Sequence, residues 1–482
     1  TMRQVTMPDH LAHARTRLHP PILILAAVLA VACSVTIPLA GRETPEAVDE
    51  AQQLSPSPSA GAPGVRPTPG IADLPSVGRL AVLGSDGNLY ILEHGHKPLS
   101  LINDAIPIDS ITLSGRVYQH PTWSPDGWLS FTQAENLPNE PPGLQVLAVP
   151  PGGNPITILE TPDASYVYGY WSPAACRVAS DCNRLAYLMN DGDRVALHLA
   201  EVHSGNEATV EDAIVGRAAP FYYSWSPDGE SMLWYQYDQY LSIYDLPRGE
   251  ISEWLPFATG RFMAPSWSPV DDRLLFARAD PGGNRVMILD GDRTVDLGLP
   301  VEGYTYFNWS PDGQQVAYTY GGDPLAPVTV INADGSNGRI LAGVRDIVAF
   351  FWSPDSAKLA IVSLVLPSEA FPQAGHSVRA RSAAQQGTPE NYVFAWSVID
   401  VASGEATFLT EFLPTGDQWY MLKYFDQYAQ SHRVWSPDSR YIVYAEQERE
   451  SGRDAVRLLD AQRPDEPPLR LMEGTLGIFT FK

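Results

Sequence analysis

From about residue 77 onward the chain is built of short runs rich in Val, Ile, Tyr and Phe, broken by Gly, Pro, Asp or Asn. That pattern belongs to short strands joined by tight turns. The runs are also punctuated at intervals. An apolar or aromatic run ends in Trp-Ser-Pro at Trp123, Trp171, Trp225, Trp267, Trp309, Trp352 and Trp435. A second β-rich run then follows, such as Gln314-Gln315-Val316-Ala317-Tyr318-Thr319-Tyr320. Successive starts lie 48, 54, 42, 42, 43 and 83 residues apart. A recurrent period near 42 is in the range of four-stranded propeller blades.

Five copies carry the longer form Trp-Ser-Pro-Asp, at Trp123, Trp225, Trp309, Trp352 and Trp435. The motif predicts a hairpin turn. Serine stands first, with a hydroxyl able to bond the backbone two residues on. Proline stands second with φ already set. Aspartate is third, and glycine, where present, takes a positive φ in fourth place. Each tryptophan ends a strand and is expected to fill the wedge between neighbouring blades.

These seven copies resemble the TolB-type β-propeller repeat, also called the WD40-like or PD40 repeat. The resemblance runs from Val77 to Lys482. It implies an all-β propeller of four-stranded blades and says little of function, because propellers host many unrelated activities. The unit at Trp309 divides into strands Tyr304–Trp309, Gln315–Tyr320, Val328–Asn332 and Gly338–Leu341. Val77–Ile102 supplies only second, third and fourth strands, from Arg79, Asn88 and Pro98. Leu476–Phe481 supplies only a first. The two partial units are expected to complete one blade and close the ring, which removes open edges. Eight blades are expected, with seven as the alternative.

Composition narrows the partners. The chain has 482 residues with 32 Lys and Arg against 56 Asp and Glu, a formal charge of −24. Nucleic acid is not an expected partner, since phosphate binding needs clustered cations. Residues 1–41 carry Arg3, Arg15 and Arg17 before an apolar run from Ile22 to Ala32, which reads as an export signal. Ala30-Val31-Ala32-Cys33-Ser34 resembles a lipoprotein box and would make Cys33 the lipidation site. The alternative is a helical anchor over Pro21–Ala40. Residues 42–76 are rich in Pro, Ser, Ala and acid and read as an extended tether. Residues 77–482 would then form a membrane-tethered, monomeric domain outside the cytoplasm, at a bacterial cell surface or in the periplasm. Cys176 and Cys182 are expected to form a disulfide there. No cofactor or metal site is expected.

Two insertions mark where function could sit. Residues 366–391 and 411–430 both fall on the face made by second-to-third-strand loops and blade-to-blade links. Candidate ligand-binding residues are Arg379 and Arg381 in the first, and Trp419, Tyr420, Tyr424 and Phe425 in the second. The aromatics could equally form a plug over the ring. His120, Tyr168, Tyr222, Tyr306 and His432 are candidates to line the central channel. The chain has no G-x-S-x-G, H-E-x-x-H, P-loop or G-x-G-x-x-G sequence. The expected action is therefore binding or scaffolding of a protein or a cell-envelope glycan through the loop face. The alternative is an enzyme cleaving polysaccharide or peptide at the channel mouth.

Overall fold

The structure is a computed structural model that describes residues 78–482, apart from 110, 163, 178–181, 193, 204–208, 257–258, 260–261, 304, 324, 342 and 366–392. Cys33, the tether, Arg379 and Arg381 lie outside the described residues. Eight antiparallel sheets stand in a ring, and seven have four described strands. The count is thus eight blades, with Trp171 and Trp267 marking full members.

Blade 6 shows how the repeat folds. Its strands are Tyr306–Trp309, Gln315–Thr319, Val328–Asn332 and Arg339–Leu341, in sequential order. Trp309 pairs with Val316 and Tyr306 with Thr319. In the turn, the Gly313 N–H donates to the Ser310 carbonyl over 2.9 Å. The serine hydroxyl does more than the sequence suggests. It donates to the Asp312 carboxylate (2.6 Å) and accepts the Gln315 N–H (2.9 Å). Ser226, Ser353 and Ser436 repeat both bonds. The hydroxyl therefore locks the carboxylate into the turn and ties the turn to the following strand, instead of bonding the backbone two residues on.

Blade 1 is built from both ends of the described chain. Leu476–Phe479 pairs with Leu80–Leu83, which pairs with Leu89–Leu92, and Leu99–Ile102 lies outermost. Phe479 faces Leu80 where other blades have tryptophan. Thr480 takes the serine's place, accepting the Arg79 N–H at 3.0 Å while its own N–H donates to the Arg79 carbonyl. Blade 8 has three regular strands, Tyr441–Gln447, Asp454–Asp460 and Leu469–Met472. Its inner edge is reduced to a bridge between Trp435 and Ile442.

Neighbouring blades are joined by the motif itself. The indole N–H of Trp171 donates to the carbonyl of Thr122, one residue before the preceding blade's tryptophan (3.0 Å). Trp225 does the same to Tyr170, Trp309 to Ser266, Trp352 to Asn308 and Trp435 to Phe351. A second stitch lies further out. Arg79, Arg184 and Arg273 donate to the carbonyls of Gly127, Gly229 and Gly313 in the next blade's turn. In blades 7 and 8 the turn glycine is replaced by Ser356 and Ser439, each at a φ of 60°. Their hydroxyls accept the N–H of Asp312 and Asp355 in the preceding blade. The strained backbone is thus offset by an inter-blade bond that glycine could not make.

Candidate functional site

The residues after blade 7 do not form a loop on the surface. They fold into two helices, α1 (Gly416–Lys423) and α2 (Phe425–Tyr428), that enter the central channel. Thr415 caps α1, its hydroxyl accepting the Gln418 N–H. Asp417 in the first turn suits the positive end of the helix dipole. Below it the apolar side of the pair is buried: Trp419, Met421, Leu422, Phe425 and Tyr428. Phe425 meets Tyr306, Phe350 and Phe351 at ring distances of 4.8, 5.0 and 5.9 Å. Trp419 packs on Phe394 at 5.4 Å.

The helix pair is therefore a plug, and this corrects the reading of Trp419 and Phe425 as ligand-binding residues. Trp419 is 7% exposed and Phe425 is 0% exposed. Their apolar area is used by the channel wall. Tyr420, at 45%, and the half-buried Tyr424 stay at the outer surface, 5.1 Å apart, with the Lys423 ammonium over the Tyr424 ring.

Of the channel candidates, Tyr168, Tyr306 and His432 lie directly against the plug. The Tyr168 hydroxyl donates to the Gln427 carbonyl (2.6 Å), and its ring meets Tyr222 and Tyr428. Tyr306 abuts Phe425. The His432 N–H donates to the Tyr428 carbonyl, and its Nδ1 lies 2.8 Å from the Ser431 hydroxyl. His120 holds the Thr132 hydroxyl at 3.0 Å. Burial pulls His120 down to about 4. Burial, then the charge of His120, pulls His432 down to about 3. Both are neutral at physiological pH and act as packed polar groups. Asp426, on α2, is pushed up to about 6 by burial.

Above the plug the channel opens into a funnel of about 510 Å³. Its floor is Ala429 and Gln430. Its walls are the last inner-strand residues and the prolines of the turns, among them Pro311 and Pro354. The funnel therefore opens on the turn face, and the plug closes the loop face. Arg433 and His432 come from the segment leaving the plug, and Lys482 stands at the rim. Among the described lining residues there is one histidine and no aspartate or glutamate. Gly78, where the described chain begins, lies beside Pro437 and Thr480, at the turns of the same face.

Cys176 and Cys182 are joined in a disulfide with a Cα separation of 5.3 Å. The Glu201 carboxylate lies close to both sulfurs and receives Arg184 at 2.8 Å. Both sulfurs being engaged, the cluster is a braced hairpin. Among the described residues, no helix is long and apolar enough to cross a membrane.

No family model matches the chain, and no curated protein matches it. It is a β-propeller with TolB-like repeats. Among solved structures it is similar to TolB from Acinetobacter baumannii, at 15% identity over 74% of this chain and 80% of that one, with a TM-score of 0.33. It is also similar to an oligogalacturonate lyase in complex with manganese (14% identity, 80% and 98% covered, TM-score 0.45). A prolyl endopeptidase is similar at 12% identity over 76% of this chain and 49% of that one, TM-score 0.45. At these values the architecture rests on this chain's own strand order.

Proposed function

We propose that this chain is a binding module, held outside the cytoplasm by its amino-terminal segment, and that it recognises an envelope protein at the mouth of the funnel. The observation that carries the reading is the funnel itself: a concave, largely apolar space, closed at its base and ringed by prolines on one face. Such a space with a few polar groups is the usual form of a recognition site. The ring of identical turns holds the rim rigid, so little ordering cost falls on binding. The loop face is the second reading, favoured by the exposed Tyr420 beside Tyr424 and Lys423. There the partner would be a protein or a cell-envelope glycan.

Capture of envelope proteins on the immobilised chain tests the choice. Replacing Pro311 and Pro354 together with Ser is expected to abolish a capture that survives replacement of Tyr420 and Tyr424 with Ala. The reverse pattern would move the recognition surface to the loop face.

A further inference from the structure

Within the funnel is a cation that forms no ion pair with a described residue. Arg433 lies two residues before Trp435, on the segment that leaves the plug. Its guanidinium sits 4.0 Å from the Phe481 ring centroid. It makes no hydrogen bond or ion pair with any described residue. Arg184, enclosed between blades 3 and 4, shows the ordinary solution: it pairs with Glu201 at 2.8 Å and Glu230 at 3.1 Å. The chain carries a net charge of −24, yet the funnel's described lining holds no aspartate or glutamate. Burial lowers Arg433 to about 10, so it stays charged at neutral pH. A half-buried, unpaired charge carries a cost, and a ligand of opposite sign would relieve it.

Other polar residues belong to the same wall. Asn308 and Ser266 are among them, but Asn308 Nδ2 and Ser266 Oγ are sealed from the open space. Gln430 Oε1 already accepts the hydroxyls of Tyr170 (2.8 Å) and Ser224 (3.4 Å), which leaves its NH2 as the free end of the side chain. The remaining wall is apolar, with Phe350, Trp352 and the turn prolines. One fixed guanidinium is a planar fork matched to a carboxylate. A phosphate dianion would call for a second cation beside it, and the other lining cation, Lys482, stands at the rim. The volume lies within the range of about 300–1,000 Å³ usual for small-molecule sites.

We propose that the funnel binds a small organic acid. Its carboxylate is received by Arg433, and its compact apolar body rests on Phe350, Trp352 and the proline rim. This goes beyond recognition of a protein at the rim and does not depend on it.

The test uses the purified full chain and calorimetric titration with benzoate, cyclohexanecarboxylate and indole-3-carboxylate. The matching primary amides and inorganic phosphate serve as controls. The acids are expected to bind at least about tenfold more tightly than their amides, the loss that follows from removing a charge-assisted hydrogen bond. Arg433→Gln is expected to lower acid affinity by a similar factor, and Arg433→Lys to keep part of it. Thermal unfolding of Arg433→Gln is expected near the parent temperature, because no ion pair is lost and the contact with the Phe481 ring is replaced by a neutral amide. Should that variant fail to fold, Arg433→Lys and the acid-against-amide comparison on the parent chain decide the matter. Amides binding as well as acids would overturn the proposal. So would phosphate binding more tightly than the acids, unchanged affinity in a folded Arg433→Gln, or no heat from any acid at millimolar concentration.

Discussion

Single residues carry two kinds of work here, and each can be measured. The repeated serine fixes both the aspartate and the next strand, so Ser310→Ala breaks two hydrogen bonds in a half-enclosed turn. A loss of about 1–2 kcal/mol is expected in urea unfolding. Asp426 works the other way. Its folded value of about 6 lies above the ordinary 3.8, because burial disfavours the charged form. A raised carboxyl contributes stability below its unfolded value, and that contribution is lost as pH rises toward about 6. Asp426→Asn is therefore expected to stabilise the chain at neutral pH, by up to about 3 kcal/mol. The gain should fade below about pH 4, the unfolded range of the carboxyl. Thermal unfolding across that window checks it, and a constant difference at every pH would refute the titration. The motif's turn was legible from residue types alone. The serine-to-aspartate bond was not, because the sequence does not show which acceptor a rotating hydroxyl chooses.

At the scale of elements, the plug is the main departure from what the sequence offered. Strands of blade 6 were readable to within one or two residues, because short apolar runs and turn chemistry agree. The plug was harder. Gln418, Trp419, Leu422 and Phe425 are buried at helical spacing behind the Thr415 cap, so a signal existed. It was masked by aromatic density, which also suits an exposed binding loop. Phe425→Ala and Trp419→Ala are each expected to cost about 3–5 kcal/mol in urea unfolding. Tyr420→Ala, at the outer surface, should stay within about 0.5 kcal/mol of the parent. Equal effects at all three positions would mean that the helices do not seat in the channel. The funnel itself left no mark in the sequence, because it is a space enclosed by seven distant turns.

For the whole molecule, closure decides stability. Leu476–Phe479 completes blade 1, and its removal would bare the edge of Leu80–Leu83, which is buried along its length. An open edge with apolar neighbours invites association. A chain lacking Leu476–Phe479 is expected to unfold at lower temperature and to elute as aggregates in gel filtration, whereas a monomeric elution would show that blade 1 holds without it. Ring and plug together give the molecule two unlike faces, one sealed by helices and one open through the funnel. Placing a photo-cross-linking amino acid at Pro354, on the turn face, or at Tyr420, on the loop face, in cells that express the full chain tests that polarity directly. Cross-linked partners are expected from Pro354 and none from Tyr420; partners from Tyr420 with none from Pro354 would contradict it.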